Sequence, residues 1–535
     1  MRRRSFLSAL AVAPSVVLSG SPPYVASGAS RWVLGLAPRS PTQEVVQPVV
    51  NVRALGAKGN GVHNDTDAFQ RASRLVENAH GGTILIPPGD YLVGCQRRGL
   101  PGEPYWVGEP VIAIGGCRRP VVIRGAPGQA RTRLFTAPRL RFGTFNPDTG
   151  EPEDGPPGGT AWVVSPYPAG IIDVQNNIRV MISNLELDGN LPNLEIGGVT
   201  DRMDGRQIAA HGIFASDVRE VEIHDVYTHH NAADGLLAVF HGLTQQDLVT
   251  TPIVLERVRS EFNARAAFSW HGGIGLAATD CDFSHTGRGG LATPPACGLD
   301  IETTDVFPTS ICRDGLFQDC RFVDNTGVGV ISDGGDPRLP SVMDVQYMTF
   351  DRCQILTLTG QSAIWPKRPA FRFTNCGIHG WCTNAFSQPD PAVAAPDPRY
   401  PTTFQSCTFE DIPYNGHAPA FPGSAALIET GGLGVALDGC TITAHRLRAL
   451  WANAPGMIAR DSVITHAWAA APIGAFQSLV WDMQLDMVEF REDLPAGSWY
   501  IAYGNTRTHN VRVSGPSVGW GPARLIGTIP DNLWN

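Results

Sequence analysis

From Gly170 onward the chain repeats one short pattern of small, apolar and polar positions. A glycine or alanine is followed by alternating apolar and variable residues at Gly170-Ile171-Ile172, Gly212-Ile213-Phe214, Gly235-Leu236-Leu237, Ala267-Phe268-Ser269, Gly298-Leu299-Asp300 and Gly329-Val330-Ile331. Period-two alternation of this kind predicts strands with one face buried. A second strand follows each, such as Val221-Glu222-Ile223. In the second half, six of these later strands carry cysteine in one setting: polar, polar, Cys, variable, large apolar. The cysteines are Cys281, Cys320, Cys353, Cys376, Cys407 and Cys440, with the apolar residue two places on, at Phe283, Phe322, Ile355, Ile378, Phe409 and Ile442. Two residues apart on a strand point the same way, so cysteine and apolar partner are expected on one strand facing inward. Successive cysteines are separated by 23 to 39 residues. A repeat of that size with a fixed core and variable loops predicts a solenoid, here a parallel β-helix whose equivalent positions stack about 4.8 Å apart.

The opening of the solenoid differs. Phe69, Ala72, Leu75, Val76 and Ala79 share a helical face, which predicts a helix from Thr66 to Ala79, capped by Asn64 or Asp65 and stopped by Gly81-Gly82. Such a helix at the end of a solenoid can cap its first coil. Thr83 to Leu92 reads as strand, turn, strand. Before this lies Arg2-Arg3-Arg4-Ser5-Phe6-Leu7 and an apolar stretch to about Leu18. Residues 1–30 therefore read as an export signal of the twin-arginine type, 31–48 as a linker or arm, and 49–535 as the β-helix domain with long loops and an irregular C-terminal end. The expected location is secreted or periplasmic. No later apolar run approaches the length of a membrane span.

Composition agrees with a turn-rich β protein: 59 Gly, 43 Pro and only 17% charged residues in 535. The net charge of −9 disfavours a nucleic-acid partner. Eleven cysteines are present. The six repeated ones read as small buried hydrophobes, while Cys95–Cys117 and Cys297–Cys312 are candidate loop disulfides.

Aligning the strands on their opening residue turns Ile213, Ala215, Leu236, Ala238, Phe268, Trp270, Leu299 and Ile301 inward. Two outward columns remain. One runs Phe214, Leu237, Ser269, Asp300, Ile331, and the other Ser216, Val239, His271, Glu302, Asp333. Three successive coils thus present His271, Asp300, Glu302 and Asp333 on one outer face. Two carboxylates flanking a bond are what glycoside hydrolysis requires, one as acid and the other as nucleophile or base, and His271 can tune the pair or move a proton. These four are the candidate catalytic residues. Arg265 and Lys367 can receive a substrate carboxylate, and Asp234, Trp270 and His211 join them as candidate sugar-binding residues. Hydrolysis needs no cofactor. A lyase would instead use calcium in an oxygen cage, for which Asp300, Glu302 and Asp333 are the available ligands.

The stretch Val50–Val93 carries a resemblance. Its elements Gly56-Ala57-Lys58-Gly59-Asn60-Gly61, Asn64-Asp65-Thr66-Asp67-Ala68-Phe69 and Ile86-Pro87-Pro88-Gly89-Asp90-Tyr91 look like the opening of the pectate-lyase-like superfamily. That group of right-handed parallel β-helix proteins includes polygalacturonase-type glycoside hydrolases, polysaccharide lyases and phage tailspikes. The resemblance implies the fold and a polysaccharide partner but no particular reaction. Asn231 to Gly235 and Trp270-His271-Gly272 are similar to parts of the polygalacturonase signature, yet its paired Asp-Asp and its Arg-Ile-Lys are absent. The expected reaction is hydrolysis of glycosidic bonds. A lyase or uronate epimerase, and a non-catalytic glycan-binding surface protein, are the alternatives. Monomer and homotrimer both fit.

Overall fold

The computed structural model describes residues 47–100, 106–128, 131–155, 165–199, 208–243, 250–303, 311–334, 345–357, 362–366, 371–380, 382–383, 402–411, 426–430, 435–445, 448–452 and 457–466, then shorter strand segments as far as 514. Residues 1–30, expected to be an export signal, almost all of the expected linker, and Lys367 lie outside the described residues. Among the described residues no helix is long and apolar enough to cross a membrane.

Each complete coil supplies three strands. One coil gives Gly273–Thr279, Asp282–Ser284 and Cys297–Thr303, and the next gives Cys312–Gln318, Arg321–Val323 and Val330–Gly334. The first two of each set pair parallel with their counterparts in a 28-stranded sheet, and the third joins a 13-stranded sheet. The result is a right-handed parallel β-helix, the hand that parallel crossovers adopt almost without exception. In two early coils the first pair fuses into single nine-residue strands, Val180–Asp188 and Val221–His229. The repeat continues past residue 455, through Ile458–Arg460 and Val463–His466 to Arg512–Ser514.

The inward register follows the alternation. Ile213, Leu236, Phe268 and Leu299 pair in sequence, as do Ala215, Ala238, Trp270 and Ile301, and all belong to one buried cluster. Phe317, Phe350, Phe373 and Phe404 stack in an interior column with ring centroids 4.8 Å apart, the distance between strands.

The cysteines are buried as expected, but not on strands. Each sits in the bend between the first and second strand of its coil, as Cys281 does between Thr279 and Asp282. The residue just before each is left-handed: Asp280, Asp319, Arg352, Asn375, Ser406 and Gly439 have φ between 52° and 61°. Asp, Asn and Gly tolerate that conformation best, which explains the polar position of the motif. The bend turns the thiol back toward the preceding coil, where Cys353, Cys376 and Cys440 donate to the carbonyls of Phe317, Phe350 and Phe404 at 3.3 to 3.5 Å. Neither loop disulfide forms: Cys95, Cys117, Cys297 and Cys312 are free thiols.

The helix spans Thr66–Asn78 and packs on Val49–Asn51, Gly82–Leu85 and Ile112–Gly115. The Asn64 side chain accepts from the Thr66 amide at 3.1 Å, while the Asp65 carboxylate ties down the Lys58 and Gly59 amides instead. Phe69, Ala72 and Val76 enter the core, but Leu75, at the edge of that stripe, is 47% exposed.

Candidate functional site

The third strand of each coil builds the site. Outward positions pair as Asp173, Phe214, Leu237, Ser269, Asp300 and Ile331, so the column expected from the sequence is real and extends to earlier coils, through Asp173 to Ala113. Leu237, Ser269, Asp300 and Ile331 are buried although they point away from the core, so this face is recessed. The second column runs Ser216, Val239 and His271, and Glu302 pairs with Asp333 in register.

His271, Asp300 and Glu302 come together. The His271 Nε2 lies 3.9 Å from Asp300 Oδ2 and 3.7 Å from Glu302 Oε2. These separations exceed a hydrogen bond, and catalytic contacts commonly tighten only with substrate present. Nε2 is shielded from solvent and makes no hydrogen bond among the described residues. The two carboxylates sit in unlike surroundings, with side chains 7% exposed at Asp300 and 40% exposed at Glu302.

A buried ion pair stands beside them. Arg265 Nε donates to Asp234 Oδ1 at 2.7 Å, and its Nη2 bonds Oδ2. His211 Nδ1 lies 3.5 Å from the same carboxylate. Burial penalises ionised Asp234, yet the charge and hydrogen bonds of Arg265, helped by His211, hold its carboxyl well below the usual range. Burial likewise works against charged Arg265, but Asp234, with smaller contributions from Asp300 and Glu302, raises it above the ordinary arginine value. Arg265 is therefore a fixed cation within electrostatic reach of both candidate carboxylates. Four strands back along the column from Asp300, burial raises Asp173, although a hydrogen bond from Gln175 and the charge of His211 oppose this.

The sequence-derived set is thus brought together in part. His211, Asp234, Arg265, His271, Asp300 and Glu302 form one neighbourhood. Asp333 holds its place in register. Trp270 is a correction: it is wholly buried, because alternation along Ala266–His271 points it into the core between Ala238 and Ile301. It offers no surface to a sugar. A second cluster went unread in the sequence. Asp188, His229 and His230 meet at the ends of the two nine-residue strands. The only sequence signal there was a pair of polar turn triplets, Asp188-Gly189-Asn190 and His229-His230-Asn231.

Comparison with known proteins places the opening segment. The family model described as rhamnogalacturonase A/epimerase, pectate lyase-like, matches residues 49–96. Alginate lyase 7 of Azotobacter vinelandii is 49% identical over 43 residues, 8% of this chain and 5% of that protein. Mannuronan C5-epimerase AlgE6 of the same organism is 26% identical over 196 residues, 35% of this chain and 20% of that protein. Among solved structures, the N-terminal fragment of bacteriophage Phi29 gene product 12 is similar with a TM-score of 0.44 and 13% identity, covering 88% of this chain and 71% of that one. The pectate-lyase-like resemblance of Val50–Val93 is thus matched by a family model over the same stretch.

Proposed function

We propose that this chain cleaves glycosidic bonds in a polysaccharide by hydrolysis, with Asp300 and Glu302 as the carboxyl pair on the outer face of the 13-stranded sheet. The carrying observation is that pair's meeting at His271, one carboxylate recessed and the other accessible. The sign of the local charge supports the reading. Asp234 and Arg265 cancel as a buried ion pair, and the ionised member of the Asp300–Glu302 pair supplies negative charge beside them. Glycosidic cleavage passes through an oxocarbenium-like transition state bearing positive charge. Negative charge fixed where positive charge develops stabilises that state more than the ground state. One carboxyl protonates the leaving oxygen as the glycosidic bond breaks; the other either takes the anomeric carbon, the resulting glycosyl ester being cleaved by water, or deprotonates a water that attacks it directly, and His271 assists the proton transfer. The recessed column back to Asp173 spans four strand spacings, about 19 Å, which suits a chain of several sugars.

A lyase or C5-epimerase is the second reading. Two relatives bear those names, and both reactions remove a proton beside a uronate carboxylate. That step builds negative charge, which Asp300 and Glu302 oppose unless a cation stands between. His271, Asp300 and Glu302 each offer a ligand atom within 4.8 Å of the others, so a cation can be held there. Calcium prefers an all-oxygen shell, and the imidazole makes this a poorer calcium cage than the sequence implied.

The deciding experiment incubates the full-length protein with neutral glycans and polyuronates. New reducing ends without the ultraviolet absorbance of an unsaturated uronate support hydrolysis. Appearance of that absorbance, or inversion at C5 without chain scission, overturns it.

A further inference from the structure

The geometry points to a second site, a transition-metal site at Asp188, His229 and His230, on the 28-stranded sheet and independent of the hydrolytic reading. Asp188 and His229 are directly paired in register at the ends of Val180–Asp188 and Val221–His229. The His229 Nδ1 lies 2.7 Å from His230 Nδ1 and 3.7 Å from Asp188 Oδ1, and one ligand atom from each residue lies within 4.8 Å of the others. Tetrahedral metal–nitrogen bonds of 2.0–2.1 Å set ligand atoms about 3.3 Å apart. A shift of a few tenths of an ångström therefore converts the imidazole–imidazole contact into two metal bonds.

The surroundings match what a metal-bound histidine requires. A ligating imidazole usually gives its other nitrogen to a carboxylate. The His229 Nε2 faces Glu186 Oε1 at 3.3 Å, and Arg131 in turn grips Glu186 at 2.8 and 2.6 Å. Arg133 and the Asn190 amide, the latter at 2.8 Å, orient Asp188, whose oxygens keep further lone pairs. Tyr227 stacks on His229 at 4.2 Å and Phe262 on His230 at 5.2 Å, fixing both rings. Four carboxylates (Asp90, Glu186, Asp188, Glu261) face three guanidiniums (Arg131, Arg133, Arg259), leaving room for one added cation. Two imidazoles and a carboxylate select zinc, cobalt or another borderline divalent ion over calcium or magnesium.

The test uses full-length protein carrying His271→Ala, which removes the nitrogen ligand of the other candidate cluster. Titration with cobalt(II) is expected to reach one equivalent with visible d–d absorption, and zinc to displace it. His230→Gln, at a partly exposed position, abolishes this spectrum while the circular dichroism and melting of the metal-free protein stay unchanged. Glu186→Gln weakens cobalt binding about 10- to 100-fold. No stoichiometric cobalt binding, or a spectrum unaltered by both His230→Gln and Asp188→Asn, overturns the site.

Discussion

The two outer faces of the β-helix handle charge in opposite ways. On the 28-stranded sheet, arginines run alongside the acids coil after coil: Arg131 with Asp90 and Glu186, Arg133 with Glu186 and Asp188, Arg179 with Glu222, Arg259 with Glu261, Arg321 with Asp282. On the 13-stranded sheet Arg265 is locked to Asp234, and Asp300 and Glu302 face His271 Nε2 at 3.9 and 3.7 Å. Both sheets share the same parallel pairing and the same spacing between coils. A largely paired ladder holds coils together, whereas an acid pair set against an imidazole keeps protons in play. The difference locates chemistry by charge imbalance where fold alone is silent.

If that contrast is functional, Asp300→Asn lowers turnover about 10²- to 10⁴-fold, the range for a lost acid or base, while thermal melting stays near wild type. Trp270→Ala should do the reverse. Removing a wholly buried indole costs about 3–5 kcal/mol of stability in a denaturant titration. Asp234→Ala strands the buried Arg265 charge and is expected to cost about 3–5 kcal/mol. Arg321→Ala, on the largely paired face, costs under about 1 kcal/mol in the same assay, since half-exposed surface pairs contribute little. Equal losses for these last two would erase the distinction between the faces.

A smaller effect concerns acid. Burial works against ionised Glu186, but His229 and Arg131 outweigh it and hold the group down at about 2. A depressed carboxyl contributes stability above its unfolded value, about 4.3, and loses it as pH falls toward 2. Wild type should therefore lose more stability than Glu186→Gln between those limits. Identical pH profiles would remove Glu186 from the paired ladder. Least of all, a reductant should leave the melting temperature unchanged, since the described cysteines are free thiols. A clear drop would reveal a disulfide.

Much of this was legible in the chain because each inward position is apolar and each coil starts alike. That fixed the register of Asp300 beside Ser269, and Glu302 follows two residues along the same strand. The cysteine setting misled by one step. Its polar residue marks a left-handed bend, and a bend looks like a strand when only side-chain type is read. Trp270 shows the opposite failure, where nearness to His271 in sequence outweighed the alternation that buries it. The Asp188–His229–His230 cluster was unreadable for another reason. Its members meet only through the pairing of two strands separated by an insert, residues 190–210, whose length carries no register.

The most direct test measures turnover and melting together in the double variant Asp300→Asn with Glu302→Gln. The predicted result is loss of reducing-end release to background in a protein that melts as wild type does. Undiminished turnover in that folded double variant would contradict the assignment of the chemistry to this face.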